Sequence, residues 1–173
     1  KRPDFYYEGV SIFVTTRFGL AQSVIQERPL GPRLLQIRIR HPDLDVVLTA
    51  GYAVPFTNKF GTGRKYASKA EFEKARSDFW RCLSEALANW GARSNHIVGI
   101  DANARIGLNA IGNPSGTGVG PLAPEKQDAN GDFLVDVLRV HDLAAVNTFM
   151  CSSENQGTWC NLEGVWRRID YLL

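Results

Sequence analysis

Between residues 33 and 40 the chain alternates without interruption: Leu35, Ile37 and Ile39 fall on one side of an extended strand, Gln36, Arg38 and Arg40 on the other. A helix would scatter these residues around its circumference, so the pattern commits the segment to a sheet. His41-Pro42-Asp43 reads as a turn, residues 45–53 (Asp-Val-Val-Leu-Thr-Ala-Gly-Tyr-Ala) as the partner strand, and Pro55 as its end. The two strands predict an antiparallel hairpin with one wet face, that of Gln36, Arg38 and Arg40. Residues 9–15, rich in β-branched side chains, read as a further strand.

Residues 68–90 change period. Ser68 and Glu71 form a capping box, and Phe72, Ala75, Phe79, Leu83, Leu87 and Trp90 recur at helical spacing before Gly91, a natural terminator. The stripe predicts that Phe72, Phe79 and Leu83 pack on a sheet while Lys74 and Arg81 face solvent. A short apolar strand, His96–Ile100, runs into Asp101-Ala102-Asn103. A polar, Gly- and Pro-containing excursion spans 104–129, and a second helix is expected from Asn130 to Asp142. Residues 143–149 and 166–173 read as strands. Paired strands followed by helices interleaved with strands make this an α+β chain.

With 173 residues, one domain over 1–173 is the expectation. The net charge of +2, from 20 basic and 18 acidic side chains, neither demands nor excludes nucleic acid. Cys82, Cys151 and Cys160 have no metal-site or disulfide spacing, which points to reduced structural thiols and an intracellular setting. No apolar run reaches membrane-spanning length, so no membrane partner is expected. The sequence starts without Met and stops in an apolar run, Ile169-Asp170-Tyr171-Leu172-Leu173, so the domain is expected to be incomplete before residue 1 and after residue 173.

Polar chemistry gathers where the apolar strands end. Tyr52 closes one strand. Asp101 and Asn103, two apart, share a side of extended chain, a carboxylate beside a carboxamide that suits water activation and contact to a phosphoryl oxygen. Asp170, between Ile169 and Tyr171, needs a partner. Arg168 could supply it only if the strand bends, because neighbours in a strand face opposite sides.

In order along the chain come Gly9-Val10-Ser11-Ile12-Phe13, Tyr52-Ala53-Val54-Pro55, Asp101-Ala102-Asn103-Ala104-Arg105-Ile106-Gly107, Asn130-Gly131, Asn147-Thr148-Phe149, Thr158-Trp159 and Arg168-Ile169-Asp170-Tyr171. This series resembles the endonuclease/exonuclease/phosphatase superfamily, and the stretch from Asn95 onward looks most like the endonuclease domains of LINE-type retrotransposons. The resemblance implies a two-layer β-sandwich flanked by helices, as in deoxyribonuclease I, and metal-dependent hydrolysis of nucleic acid phosphodiesters. It implies roles: Tyr52 on the scissile phosphate, Asp101 on the attacking water, Asn103 on phosphate and metal, and Asp170 orienting a catalytic His. Thr158, Trp159 and Arg168 would be substrate-side residues. It implies Mg²⁺ or Mn²⁺, held in part by Asp101 and Asn103, DNA as partner and a nuclear location. Ala102 departs from the family's usual Phe. The family's metal-binding Glu and terminal Ser-Asp-His would lie outside this stretch, so the stretch by itself is expected to be inactive. An abasic-site nuclease, a small-phosphoester phosphatase or a non-catalytic binding module are the alternatives.

Overall fold

A computed structural model describes residues 9–90, 94–107, 118–122, 126–150 and 157–173. Its centre is a mixed sheet of β1 (Val24–Pro29), β2 (Leu34–His41), β3 (Leu44–Tyr52), β4 (Asn95–Asp101) and β7 (Asp170–Leu172), in the spatial order β1-β2-β3-β4-β7. The expected hairpin is β2–β3, paired antiparallel from Leu34↔Gly51 to His41↔Leu44. β4 then lies parallel to β3, from Val46↔Asn95 to Tyr52↔Asp101. A parallel neighbour needs a long crossover. Helix α1 (Lys69–Ala88) provides it, begun at the expected Ser68 cap, whose hydroxyl accepts from the Glu71 N–H; the reciprocal half of the box is displaced by one residue, the Glu71 carboxylate accepting from the Ala67 N–H. Gly91 lies outside the described residues. Helix α2 (Ala129–Val140) starts at Asp128, whose carboxylate accepts from the Asn130 and Gly131 N–H groups. No helix among the described residues is long and apolar enough to cross a membrane.

One face of the sheet carries Leu34, Val98, Ile100, Tyr171 and Leu173. It shares the main core with Phe72, Phe79, Leu83 and Leu87 of α1 and Leu134 and Leu138 of α2. Lys74 and Arg81 are exposed, as the helical phase requires. This is also the face that was expected to be wet. Gln36 is fully buried there, donating from Nε2 to the Thr49 hydroxyl (3.1 Å) and accepting from the Trp90 indole N–H (3.0 Å). The end of α1 covers the face and supplies the indole, so a polar residue is buried with its hydrogen bonds made. Gly51 sits in the same layer; a Cβ there would meet Ile100 Cγ1 at 3.2 Å, a contact that the Ile100 side chain would have to yield to by a few tenths of an ångström.

Three strand expectations change. Residues 9–15 join no ladder; instead Ile12 and Val14 pack over Ile37, Ile39 and Val46 on the other face. Their alternation meets a packing demand without strand pairing. The edge position beside β2 belongs to β1, whose Gln-Glu-Arg interior carries no apolar alternation to reveal it. Residues 143–149 form a single bridge, Ala145 to Val119, and a 3-10 turn over Val146–Thr148. Side chains replace the ladder there: the Thr148 hydroxyl donates to Ala145 O and accepts from the Gly120 N–H. The expected strand 166–173 is split into β6 (Trp166–Arg167), paired with β5 (Trp159–Cys160), and β7.

At the opposite end of β4, His96 and His141 lie close together, and His141 Nε2 is 2.8 Å from the Ser84 hydroxyl. Burial lowers both imidazole pKa values below the ordinary 6.5, and the charge of His141 lowers that of His96 further. Below 6.5 the unfolded chain therefore takes up protons that the folded chain refuses, and stability is lost as pH falls through that window. The urea midpoint should be lower at about pH 5.5 than at about pH 7.5, and His96→Gln with His141→Gln should flatten the difference. A pH dependence unchanged by the double substitution would rule this pair out as its source.

Candidate active site

The register of the sheet brings distant residues into one row. Tyr52 pairs with Asp101 across the parallel β3–β4 ladder, and Asp101 pairs with Asp170 across the antiparallel β4–β7 ladder. Directly paired residues point to the same side, so all three occupy one face at the C-terminal ends of β3 and β4. The chain leaves β4 through Ala102, fully buried, with its N–H on Ile169 O (2.8 Å). Asn103 then adopts φ 44°, a left-handed conformation that Asn tolerates better than most residues. Its backbone N–H donates to Asp101 Oδ1 (3.0 Å), and its Nδ2 donates to Ala53 O (3.0 Å). The carboxamide oxygen of Asn103 has no protein partner among the described residues.

Asn130 locks this exit loop in place. Its Nδ2 donates to the carbonyls of Val54 (3.1 Å), Asn103 (3.0 Å) and, at longer range, Ala102 (3.4 Å), while its Oδ1 accepts from the Trp80 indole. One buried side chain thus ties the ends of β3 and β4 to the start of α2. Gly131 follows because a Cβ there would fall 2.1 Å from Arg105 O. Arg105 reaches the Asp128 carboxylate at 3.1 Å. Arg33 lies over the Tyr52 ring at 4.7 Å and donates to Tyr52 O (3.2 Å).

These surroundings act on Asp101. Burial pushes its carboxyl above the ordinary value, the Asn103 N–H draws it down, Asp170 pushes it up and Arg33 draws it down; the net effect is upward. Raised basicity at a partly buried carboxylate suits proton abstraction.

An open cleft of about 460 Å³ lies over the row, with Tyr52, Asp101, Asn103, Arg105, Trp159 and Arg167 among its walls. Asp170 stands beside Asp101 without forming part of the wall. Its N–H donates to the Thr158 hydroxyl, which also accepts from the Ile169 N–H, and its carbonyl accepts from Asn147 Nδ2. Thr158 therefore positions the β7 strand, while Trp159, half exposed, borders the cleft. Arg168 goes elsewhere. The strand is interrupted at 168–169, and Arg168 is buried to 4% exposure with Nη1 donating to Leu122 O (2.6 Å). Arg167 takes the place at the cleft. Sequence reading missed Arg33, Arg167 and Phe56. Asn103, at φ 44°, lies past the end of β4 and outside extended chain, so the alternation expected to join it to Asp101 stops at the strand and does not reach Arg105.

For a metal, the available atoms are the Asp101 carboxylate and the Asn103 carboxamide oxygen, with Asp170 next to them. No group of three or more His, Cys, Asp or Glu side chains able to hold an ion occurs among the described residues. A hard cation such as Mg²⁺ takes oxygen ligands and is commonly held by only one or two carboxylates plus substrate phosphates and water, and this donor set fits that habit.

No protein-family model and no curated protein matches the sequence. Among solved structures, the fold is similar to the endonuclease domain of TRAS1, a telomere-specific non-LTR retrotransposon, with a TM-score of 0.47 and 18% identity, covering 82% of this chain. The chain spans about half, 49%, of that structure's length.

Proposed function

We propose that the cleft is a metal-dependent phosphodiesterase site that acts on nucleic acid. The observation that carries this is the row Tyr52–Asp101–Asp170 set by strand register, with Asn103 folded back onto it. Asp101 takes a proton from a water molecule as the water oxygen bonds to phosphorus and the ester P–O bond breaks, and the leaving oxygen takes a proton from solvent to depart as the alcohol. The Tyr52 hydroxyl and the Asn103 carboxamide contact the phosphoryl group, and Arg105 and Arg167 balance the negative charge that builds on its oxygens. Mg²⁺ or Mn²⁺ would be held by Asp101 and Asn103, and when bound it supplies positive charge to those oxygens. A strand rather than a small phosphoester is favoured by the exposed Trp159 and Phe56 beside two arginines, since bases stack on aromatic faces and phosphates pair with guanidinium. In this reading the sheet is one layer of a two-layer sandwich. The face that carries the row also carries the exposed apolar side chains of Ile97 (44%) and Leu172 (46%), as an inner layer surface would.

The metal half of the proposal has a direct test. Mn²⁺ titrated into the protein should broaden the NMR signals of residues 101–103 and 170 before others. Asn103→Ala should weaken that effect about tenfold or more, the loss typical when a residue supporting a metal is removed. Broadening centred elsewhere, or unaffected by Asn103→Ala, would overturn it.

A further inference from the structure

Next to the cleft lies a second hollow of about 340 Å³ that shares Phe56, Asn103, Arg105 and Asp128 with it and is closed on its far side by Arg76 of α1. We propose that this hollow seats a second phosphate of a nucleic-acid strand, held by Arg76 and Arg105, with Phe56 stacking on a base between it and the phosphodiester in the cleft. The proposal rests on the nuclease reading of the cleft and extends it to how the strand is held.

Arg76 is built for an anion. Its side chain is 13% exposed, and its Nε is buried without a hydrogen-bond partner. Its guanidinium lies over the rings of Phe72 (5.4 Å) and Phe133 (5.8 Å), and Nη2 donates to Glu73. Two aromatic faces and one carboxylate fix the plane of the group at the wall of the hollow, so little is lost in ordering it when an anion binds. A phosphate brings several acceptor oxygens in a geometry that guanidinium matches. Arg105 faces both hollows and uses Nε on Asp128. Asp128 is an acid in the same wall, but its oxygens are already engaged: Oδ1 by the Asn130 and Gly131 N–H groups, Oδ2 by Arg105. Asn130 has spent its amide N–H groups on three carbonyls. The donors left for a ligand are therefore those of the two arginines.

The partition points to a strand rather than free phosphate. Phe56 is 75% exposed and stands edge-on to the buried Phe72 ring at 6.2 Å, so its base is anchored while its face is open. An aromatic ring shared by two adjoining hollows, each with room for more than one phosphate group, matches the alternation of phosphate and base along a single strand.

The experiment is fluorescence anisotropy of a labelled single-stranded oligonucleotide of about six nucleotides, titrated in EDTA over a range of salt. Arg76→Gln should weaken binding about tenfold and reduce the slope of log K against log[salt] by about 0.7, the signature of one lost phosphate contact on a single strand. Glu73→Gln, which frees Arg76 from its carboxylate, should tighten binding. Unchanged affinity and slope in a folded Arg76→Gln variant would overturn the proposal. Should Arg76→Gln fail to fold, binding that Glu73→Gln leaves unchanged or weakens would overturn it instead. Inorganic phosphate is the second arm: if it binds as tightly as the oligonucleotide, and Arg76→Gln affects only phosphate, the hollow takes free anion and the strand proposal falls. The two readings separate cleanly. A slope change with Arg76→Gln alongside Mn²⁺ binding that ignores Asn103 would keep the hollow and lose the nuclease site; the reverse pair of results would do the opposite.

Discussion

Asp101→Asn is expected to lower Mg²⁺-dependent nicking of supercoiled plasmid by roughly 10²–10³-fold, wherever such nicking is measured, while raising the thermal midpoint of the fold. The loss follows because an amide cannot take the proton from water, although its oxygen still accepts the Asn103 N–H. The gain follows from linkage. The Asp101 pKa in the folded state lies above its ordinary value of 3.8, with burial the largest cause and the neighbouring Asp170 adding to it. A carboxyl with a raised folded pKa contributes stability that is fully present below 3.8 and is lost as pH rises through the folded value. At neutral pH the folded chain therefore confines a charge it would rather release, and the amide relieves it. The Asn variant should gain stability over the parent near neutrality and lose that advantage in acid. A purely structural Asp would do neither, because removing it would destabilise the fold. Nicking that survives the substitution, or a midpoint that falls, would sink the assignment of Asp101.

Phe72→Ala is expected to cost about 3–5 kcal/mol of stability, on the order of 10 °C in thermal midpoint for a chain of this size. Phe72 is 1% exposed and meets three rings: Tyr66 at 5.5 Å, Phe60 at 6.0 Å and Phe56 at 6.2 Å. It also lies under the Arg76 guanidinium. No small rearrangement fills that volume, so the lost transfer energy and the cavity add. Lys74→Ala, two positions along the same helix, is the control. It removes an exposed ion pair with Asp78, and such pairs contribute about 0–1 kcal/mol. Chemical denaturation of both variants decides the matter; comparable small losses from the two would show that the aromatic cluster is not the core of the helix–sheet interface.

Phe72 also connects core to site. Its neighbour Phe56 lines both hollows, and Arg76 lines the second. Oligonucleotide binding by Phe72→Ala, measured well below its melting temperature, should therefore fall along with its stability.

What the sequence determined by itself was everything set by near neighbours. The period-2 run at 33–40 and the capped stripe at 68–90 could each satisfy only one kind of backbone, so β2, β3 and α1 were legible as elements, and α1 with its core-facing stripe. Residue chemistry at strand ends was legible too, and it singled out Tyr52, Asp101, Asn103 and Asp170. Tertiary structure decided what depends on distant partners. Whether Gln36 met water or Trp90 depended on where α1 came to rest. Whether 9–15 was a strand depended on which segment took the edge of β2, and β1 took it. Which arginine reached the cleft depended on where Leu122 came to lie, 46 positions away, since its carbonyl takes the buried Arg168 and leaves Arg167 at the wall. The row of Tyr52, Asp101 and Asp170 exists only through the register of β3, β4 and β7. That register is held by pairing between residues 49 to 73 positions apart, from Tyr52↔Asp101 to Asp101↔Asp170 and Gly99↔Leu172, and no local pattern encodes it.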